Sequence, residues 1–371
     1  MTSRTKRLAV VAAALLAASA GAAQAGSAAR EAAVVQALKP VEGDFVIRHF
    51  RFQSGQTLER LRIHYTTLGQ PHRNAAGQVD NAVLVLHGTG GSGHQFLSPV
   101  FAGELFGPGQ PLDASRYYII LPDGIGHGHS SKPSDGMRAA FPDYDYTDMV
   151  AAQYDLVTKK LGLDHLRLVM GTSMGCMHSF MWGEAHPGFV DALMPLACLP
   201  VEIAGRNRMW RKMLIDAIRE DPAWDNGNYR HEPEQGLRTA VDILFIAGSA
   251  PQQLQRQYPT GKAVDDFLAQ RVPRTMAQLD ANDLMYQVAA SRDYDPMQHL
   301  ADIKIPVMWV NSTDDFINPP YLAIAERAVK RMPQGHFELI PASDQTYGHG
   351  THTHAAVWKR YLVQLLRMSS P

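Results

Sequence analysis

Ser173 is the residue whose surroundings most clearly indicate chemistry. It stands at the centre of Gly-Thr-Ser-Met-Gly (residues 171–175), between an apolar run at residues 166–170 and a helical pattern at residues 174–185. A serine between a strand and a helix occupies a tight turn, and glycines two positions to either side leave room for that turn. The start of the following helix favours negative charge that develops near the hydroxyl. The pattern therefore predicts that Ser173 is a nucleophile.

A serine hydroxyl needs a general base, and the base needs a carboxylate that orients it. The predicted base is His349, which follows the apolar run at residues 337–340 and has a glycine on each side. The predicted carboxylate is Asp315, on the loop after the apolar run at residues 307–310 and four residues before a proline pair. Its neighbour Asp314 is the alternative, and is otherwise expected to bond the loop itself. Serine, aspartate and histidine in this order are typical of the α/β-hydrolase fold.

Two backbone N–H groups are predicted to stabilise the oxyanion of a tetrahedral intermediate. One belongs to Met174, the residue after the predicted nucleophile. The other is assigned to Thr89, in the glycine-rich loop at residues 87–93 that follows the apolar run at residues 83–86. A glycine-rich loop can also bind phosphate, but no Gly-Lys-Ser/Thr follows here, which excludes a P-loop. The sequence predicts no cofactor.

Three histidines near the end of the chain raise the alternative of a metal site. His349, His352 and His354 could reach one ion, but the nearby acidic residue is only Asp344. The sequence also lacks the His-Glu-x-x-His pattern of zinc enzymes. We therefore predict no metal, and expect His352 and His354 to line the mouth of the site or to cap the last helix.

Eight strand-like apolar runs alternate with helical patterns. The first two are joined around residues 54–56 and predict an antiparallel hairpin, whereas helical stretches separate the later runs. This alternation predicts an α/β-hydrolase fold with a mostly parallel central sheet. The runs cover residues 45–52, 61–65, 83–86, 117–121, 166–170, 192–197, 307–310 and 337–340.

Residues 200–300 break the alternation, because they are helical, rich in methionine and highly charged. An insertion between two strands lies above their C-terminal ends, where ligands bind in such sheets. We therefore expect residues 41–199 and 301–371 to form the α/β-hydrolase core and residues 200–300 to form a helical cap.

Residues 1–25 predict a signal peptide. Three basic residues precede an apolar stretch at residues 8–20, and Ala-Gln-Ala at residues 23–25 offers a cleavage site. An uncleaved anchor is the alternative, but the stretch is short and rich in alanine. We expect a periplasmic or secreted protein with no membrane span after cleavage. The mature chain would carry 32 basic and 36 acidic residues. A slightly negative net charge does not attract the phosphates of a nucleic acid, so we expect no nucleic-acid partner.

The chain contains two cysteines, too few for a disulfide framework. Cys176 lies one helical turn after Ser173 and Cys198 follows the next predicted strand, so both fall near the same edge of a parallel sheet. That placement permits one bridge in an oxidising compartment. Two buried thiols are favoured over a bridge, because cysteine packs well as a small apolar side chain.

With these groups in order, the chain resembles the homoserine O-acetyltransferase family of α/β hydrolases, from about residue 45 to its end. The resemblance implies the same triad of Ser173, Asp315 and His349, and association through the cap as a homodimer. The segments that carry it are residues 171–177, 218–229, 233–237, 279–282, 293–295 and 347–349.

Three positions depart from that family. The family is expected to place an aspartate directly after the catalytic histidine, an arginine in the cap and a tyrosine seven residues further on. This chain has Gly350, Val241 and Gly248 at those positions. The charges of an amino acid such as homoserine would be buried without partners there, at a cost of several kcal/mol. The departures therefore predict that homoserine is not a substrate.

These residues are compatible with three functions. The preferred interpretation is a secreted serine esterase that cleaves a small-molecule carboxylic ester through an acyl-enzyme, since an exported protein would not meet acetyl-CoA. The alternative is an O-acyltransferase of the homoserine acetyltransferase type, in which an alcohol replaces water. A non-catalytic binding protein is disfavoured because the predicted triad is intact.

Overall fold

The computed structural model describes residues 36–369 of the chain. The predicted signal peptide at residues 1–25 lies outside this range. Within residues 36–369, no helix is long and apolar enough to cross a membrane.

A single sheet of eight strands organises the described chain. Its strands are β1 (Val41–Arg51), β2 (Thr57–Leu68), β3 (Ala82–Leu86), β4 (Tyr118–Pro122), β5 (Leu168–Thr172), β6 (Leu193–Leu196), β7 (Val307–Ser312) and β8 (Gly335–Ile340). They lie in the order β1-β2-β4-β3-β5-β6-β7-β8. β2 pairs antiparallel with β1 and β4, and every other neighbouring pair is parallel. The predicted hairpin and the predicted α/β-hydrolase fold are confirmed.

Helices cover both faces of this sheet. Those lying wholly within the described residues are α1 (Ala102–Leu105), α2 (Tyr146–Asp155), α3 (Met174–Ala185), α4 (Gly205–Glu220), α5 (Glu234–Ala247), α6 (Pro251–Gln257), α7 (Gly261–Met276), α8 (Ala281–Ala289), α9 (Ile324–Ala328) and α10 (Ala355–Met368). Helices α2, α3 and α9 contribute to the apolar cluster on one face, and α1 and α10 contribute to the cluster on the other.

The two apolar clusters follow from the alternation of side chains along buried strands. All five residues of β3 are buried. Val83 and Val85 belong to one cluster, whereas Leu84 and Leu86 belong to the other. A strand that is apolar at every position therefore predicts a sheet covered on both faces, as observed.

The helix that leads to β5, α2, begins at Tyr146 because Asp145 and Asp148 form a capping box at its start. After Asp155 the chain continues as a π-helical turn, Leu156–Lys160.

Helices α4 to α8 all lie between β6 and β7, in the segment for which the sequence predicts the cap. Side chains from α4, α5 and α8 form an apolar cluster of their own, which includes Trp210, Leu237 and Leu284. We use "cap" for residues 200–300 below.

The prediction of two buried thiols is wrong, because Cys176 and Cys198 form a disulfide. Cys176 lies in the first turn of α3, after β5, and Cys198 lies just past the end of β6. β5 and β6 are adjacent and parallel, which brings the two Cα atoms to 5.8 Å, inside the range that a disulfide spans.

Reduction of this disulfide should destabilise the protein. The bridge joins residues 22 positions apart. Closing a loop of that size lowers the conformational entropy of the unfolded chain and raises its free energy by roughly 3 kcal/mol. Urea unfolding with and without a phosphine reductant measures the difference. The double variant Cys176→Ala/Cys198→Ala serves as the control and should not respond to reductant. Two titratable thiols in the denatured, unreduced protein would contradict the bridge.

Candidate active site

Ser173 stands on a strained turn between β5 and α3. Its φ is +55°, a left-handed value that costs a non-glycine residue about 1–3 kcal/mol. The turn closes only because its neighbours are glycines: a Cβ on Gly171 would lie 2.0 Å from the Gly175 carbonyl oxygen, and a Cβ on Gly175 would lie 2.0 Å from that of Leu86. The Ser173 N–H donates to the Leu196 carbonyl at 2.9 Å, so the neighbouring strand also holds the turn.

The structure brings Ser173, His349 and Asp315 together in one hydrogen-bonded chain. His349 Nε2 lies 2.8 Å from Ser173 Oγ, and His349 Nδ1 lies 2.9 Å from Asp315 Oδ2. A carboxylate only accepts hydrogen bonds, so Nδ1 carries the proton and Nε2 is left to accept from the serine hydroxyl. This is the arrangement in which an imidazole can act as a general base.

Asp315 is buried and remains ionised. Its side chain accepts from the backbone N–H groups of Ile317 at 2.8 Å and Asn318 at 3.2 Å, and from Asn318 Nδ2 at 2.9 Å. Burial favours a higher pKa for the carboxyl, but the charge and hydrogen bond of His349, together with the Asn318 donors, lower the pKa below its usual value. An ionised Asp315 keeps His349 in the required tautomer.

Asp314 contacts the backbone rather than the imidazole. Its Oδ2 accepts from the Gly348 N–H at 3.0 Å, which fixes the loop that presents His349. The two neighbouring aspartates thus hold the same histidine, one through its ring and the other through its loop.

Residues 196–198, which end β6 and continue just past it, connect the serine turn with the aspartate loop. Leu196 accepts from Ser173, the Ala197 carbonyl accepts from Asn318 Nδ2 at 3.0 Å, and the Cys198 carbonyl accepts from two side chains of β7. Cys198 is also joined to Cys176 on α3. No sequence motif marks Asn318, Leu196 or Ala197 as part of the site.

Gly88 in the glycine-rich loop lies against the predicted nucleophile. A Cβ on Gly88 would come within 3.2 Å of Ser173 Cβ and 3.8 Å of its Oγ. The loop that carries Thr89 therefore passes directly beside the serine. The assignment of the Thr89 and Met174 N–H groups as oxyanion donors stays a prediction.

His87 orients the peptide that carries the Thr89 N–H. Its Nδ1 donates to the Gly88 carbonyl at 2.8 Å, and its Nε2 accepts from the Gly124 N–H at 2.9 Å. Both bonds require the neutral ring, and burial lowers the pKa of His87. Because the carbonyl and N–H of a trans peptide point in opposite directions, the Thr89 N–H points away from the imidazole. From the sequence, His87 was recognisable only as the first residue of a loop of small residues.

The remaining histidines of the C-terminal tract surround His349. His352 is partly buried with its ring 5.1 Å from that of His349, and the loss of hydration lowers the pKa of His352 to about 3. His354 stacks on Tyr347 at 3.8 Å and directly precedes α10, without capping it through its side chain. Within the described part of the chain, no three His, Cys, Asp or Glu side chains are grouped so that they could hold a metal ion.

Comparison with known proteins places this arrangement in a family. A family profile of the α/β hydrolase fold matches residues 81–349. The homoserine O-acetyltransferase of Moorella thermoacetica is 30% identical over 343 residues, a match that covers 80% of this chain and 87% of that protein. The chain belongs to the homoserine O-acetyltransferase-like family of α/β hydrolases.

Solved structures share the fold over most of their length. The homoserine O-acetyltransferase from Bacillus anthracis superposes with a TM-score of 0.77 at 20% identity, covering 88% of this chain and 97% of that one. Esterase E22 superposes with a TM-score of 0.76 at 21% identity, covering 88% of this chain and 100% of that one. The solved structures that share this fold thus include both an acetyltransferase and an esterase.

The three residues that differ from the family's expected pattern lie in different structural environments. Gly350 directly follows His349, and a Cβ there would make only an ordinary 3.7 Å contact with Tyr347, so the backbone would accept a side chain. Val241 is fully buried in α5, and Gly248 follows the end of that helix. The predicted dimer stays a prediction; the cap exposes apolar side chains, among them Met209 and Ile246.

Substitution of the two aspartates should separate their roles. Asp315→Asn should lower kcat/KM for an aryl acetate by roughly 10³–10⁴-fold, because an amide no longer selects the Nδ1–H tautomer of His349. Asp314→Asn should have a mild effect, since the amide oxygen still accepts from Gly348. Steady-state kinetics of the two purified variants provide the measurement, and the reverse ranking would assign the orienting carboxylate to Asp314.

Proposed function

We propose that this protein is a serine-dependent O-acyltransferase that moves an acyl group from an ester or thioester to an alcohol other than homoserine. The observation that carries the proposal is the hydrogen-bonded chain from Ser173 through His349 to Asp315, at 2.8 and 2.9 Å. The name of the Moorella thermoacetica relative supports acyl transfer better than the ester hydrolysis that the sequence analysis preferred.

The first half of the reaction acylates Ser173. His349 Nε2 takes the hydroxyl proton while Oγ attacks the acyl carbon, and the resulting oxyanion accepts from the N–H groups of Met174 and Thr89. The tetrahedral intermediate collapses with loss of the leaving alcohol or thiol, which receives the proton from His349. The charge of Asp315 stabilises the transient imidazolium.

The second half transfers the acyl group. An acceptor alcohol gives its proton to His349 and attacks the acyl-serine, and Ser173 Oγ leaves with that proton. Water can take the place of the alcohol, so transfer and hydrolysis share every residue named and differ only in how well the cap excludes water.

Ester hydrolysis is therefore the second candidate. Gly350, Val241 and Gly248 leave no charged side chain where the family is expected to hold an amino acid, which favours either water or an uncharged portion of the acceptor. An exported protein, as proposed from residues 1–25, would also take its acyl group from an ester rather than from acetyl-CoA.

The fate of the acyl group distinguishes transfer from hydrolysis. With 4-nitrophenyl acetate as donor and a panel of alcohols as acceptors, we expect new acetyl esters to form in competition with acetate. Homoserine should not be acetylated by this donor or by acetyl-CoA, because two unpaired buried charges would each cost several kcal/mol. Product analysis by mass spectrometry is the measurement, with Ser173→Ala as the control that forms neither product.

If acetate were the sole product with every alcohol, the protein would be an esterase and not an acyltransferase. Robust acetylation of homoserine would show that the three departures do not govern the choice of acceptor.

A further inference from the structure

Ala197 is a strained residue beside the triad. It follows β6 directly, is buried, and has a φ of +65°, a left-handed value that alanine rarely adopts. Its N–H donates to the Val310 carbonyl on β7 at 3.0 Å. A non-glycine residue keeps such a conformation only where the surrounding structure holds it. The contacts on the C-terminal side of Ala197 show what holds it here and what depends on it.

The Ala197 carbonyl is bound by a side chain that also binds Asp315. Asn318 is buried, and its Nδ2 donates to the Ala197 carbonyl at 3.0 Å and to Asp315 Oδ2 at 2.9 Å. The same carboxylate oxygen lies 2.9 Å from His349 Nδ1. An amide nitrogen has two hydrogens in one plane. The direction of the Ala197 carbonyl therefore orients the amide, and the amide orients the carboxylate towards the histidine.

The disulfide keeps Ala197 from relaxing. Cys198 follows Ala197 and is bonded to Cys176 in the first turn of α3, with the two Cα atoms 5.8 Å apart. Both cysteines are fully buried. A change of φ at Ala197 to an ordinary negative value would swing the chain that follows it and carry Cys198 away from α3. The covalent bond opposes that movement.

The bridge also relates the serine turn to the aspartate loop. α3 begins directly after Ser173, so Cys176 lies on the helix that the serine starts. The Leu196 carbonyl accepts from the Ser173 N–H at 2.9 Å. Residues 196–198 are therefore held to the serine turn by a hydrogen bond at one end and to its helix by the bridge at the other. The bridge can be removed without changing any side chain that binds Asp315.

We propose that the Cys176–Cys198 disulfide is a positioning device for catalysis, which acts through Ala197 and Asn318 on Asp315. The bridge holds the left-handed conformation of Ala197, the Ala197 carbonyl holds the Asn318 amide, and the amide holds the carboxylate against His349. Loss of the bridge lowers the rate of the reaction as well as the stability of the fold. The inference rests on the proposed function of Ser173, but not on whether an alcohol or water accepts the acyl group.

A double-mutant cycle tests this path. One arm is Cys176→Ala/Cys198→Ala, which removes the bridge, and the other is Asn318→Ala, which removes the amide; a triple variant combines them. kcat/KM for 4-nitrophenyl acetate is measured at a temperature at which circular dichroism shows each variant to be folded. Ile63→Ala is the matched control. Ile63 is buried in β2, four places from β6 in the sheet, so its truncation lowers stability away from the path.

The losses in the two arms should not add. Asn318→Ala should lower kcat/KM roughly tenfold to a hundredfold, since a small displacement of a catalytic group can cost that much. Removal of the bridge should lower kcat/KM about tenfold for the same reason. The triple variant should lose no more than Asn318→Ala alone, because without the amide the bridge has no route to Asp315. Ile63→Ala should keep the wild-type value.

The pH profile is a readout that a purely structural role would not move. The acidic limb of kcat/KM reports protonation of the base in the free enzyme. A displaced Asp315 stabilises the imidazolium of His349 less. The limb should therefore move to lower pH in the bridge-free variant and in Asn318→Ala, and should stay in place in Ile63→Ala.

A bridge-free variant that unfolds more easily but keeps the kcat/KM and pH profile of the wild type would overturn the proposal and leave the disulfide a structural role. Additive losses in the triple variant would also overturn it, because the bridge would then act by another route. Asn318→Ala retains the bridge, so wild-type activity in that variant would overturn the proposal even if the bridge-free protein did not fold. Failure of the proposed function is distinct, since the wild-type protein itself would then show no Ser173-dependent cleavage.

Discussion

The close approach of three backbone segments determines the direction of the Ser173 side chain. Gly171 packs on Gly175, and Gly175 packs on the end of β3, at distances that exclude any side chain. The chain can therefore pass from β5 to α3 only through a residue with positive φ. That strain lifts the hydroxyl out of the sheet and directs it to His349, and the rest of the site is arranged around that fixed point.

The partners of Ser173 come from loops at the same edge of the sheet. β6 and β7 follow β5 in the sheet, so the residues at the end of β6 and just past it meet the turn of Ser173 on one side and the loop of Asp315 on the other. The carbonyls of residues 196–198 accept from both, and the disulfide adds a covalent tie to α3. The geometry of the three catalytic groups thus depends on neutral backbone groups as much as on the triad itself.

The sequence predicted the features that leave a local pattern. The central strands β3 to β7 were recognisable because they are buried and apolar over most of their length, and the serine turn because its glycines are required by contact. The disulfide was not predicted, since it depends on which strands are neighbours. Asn318 and the tautomer of His87 depend on single hydrogen bonds between distant loops.

The central claim is that Ser173 becomes acylated during turnover. Rapid-quench mass spectrometry of the protein mixed with 4-nitrophenyl acetate, followed by peptide mapping, tests this directly. We predict an acetyl group on the peptide that contains Ser173, formed at the rate of the nitrophenol burst and absent from Ser173→Ala. A burst without that adduct, or an adduct on another residue formed at the same rate, would contradict the account.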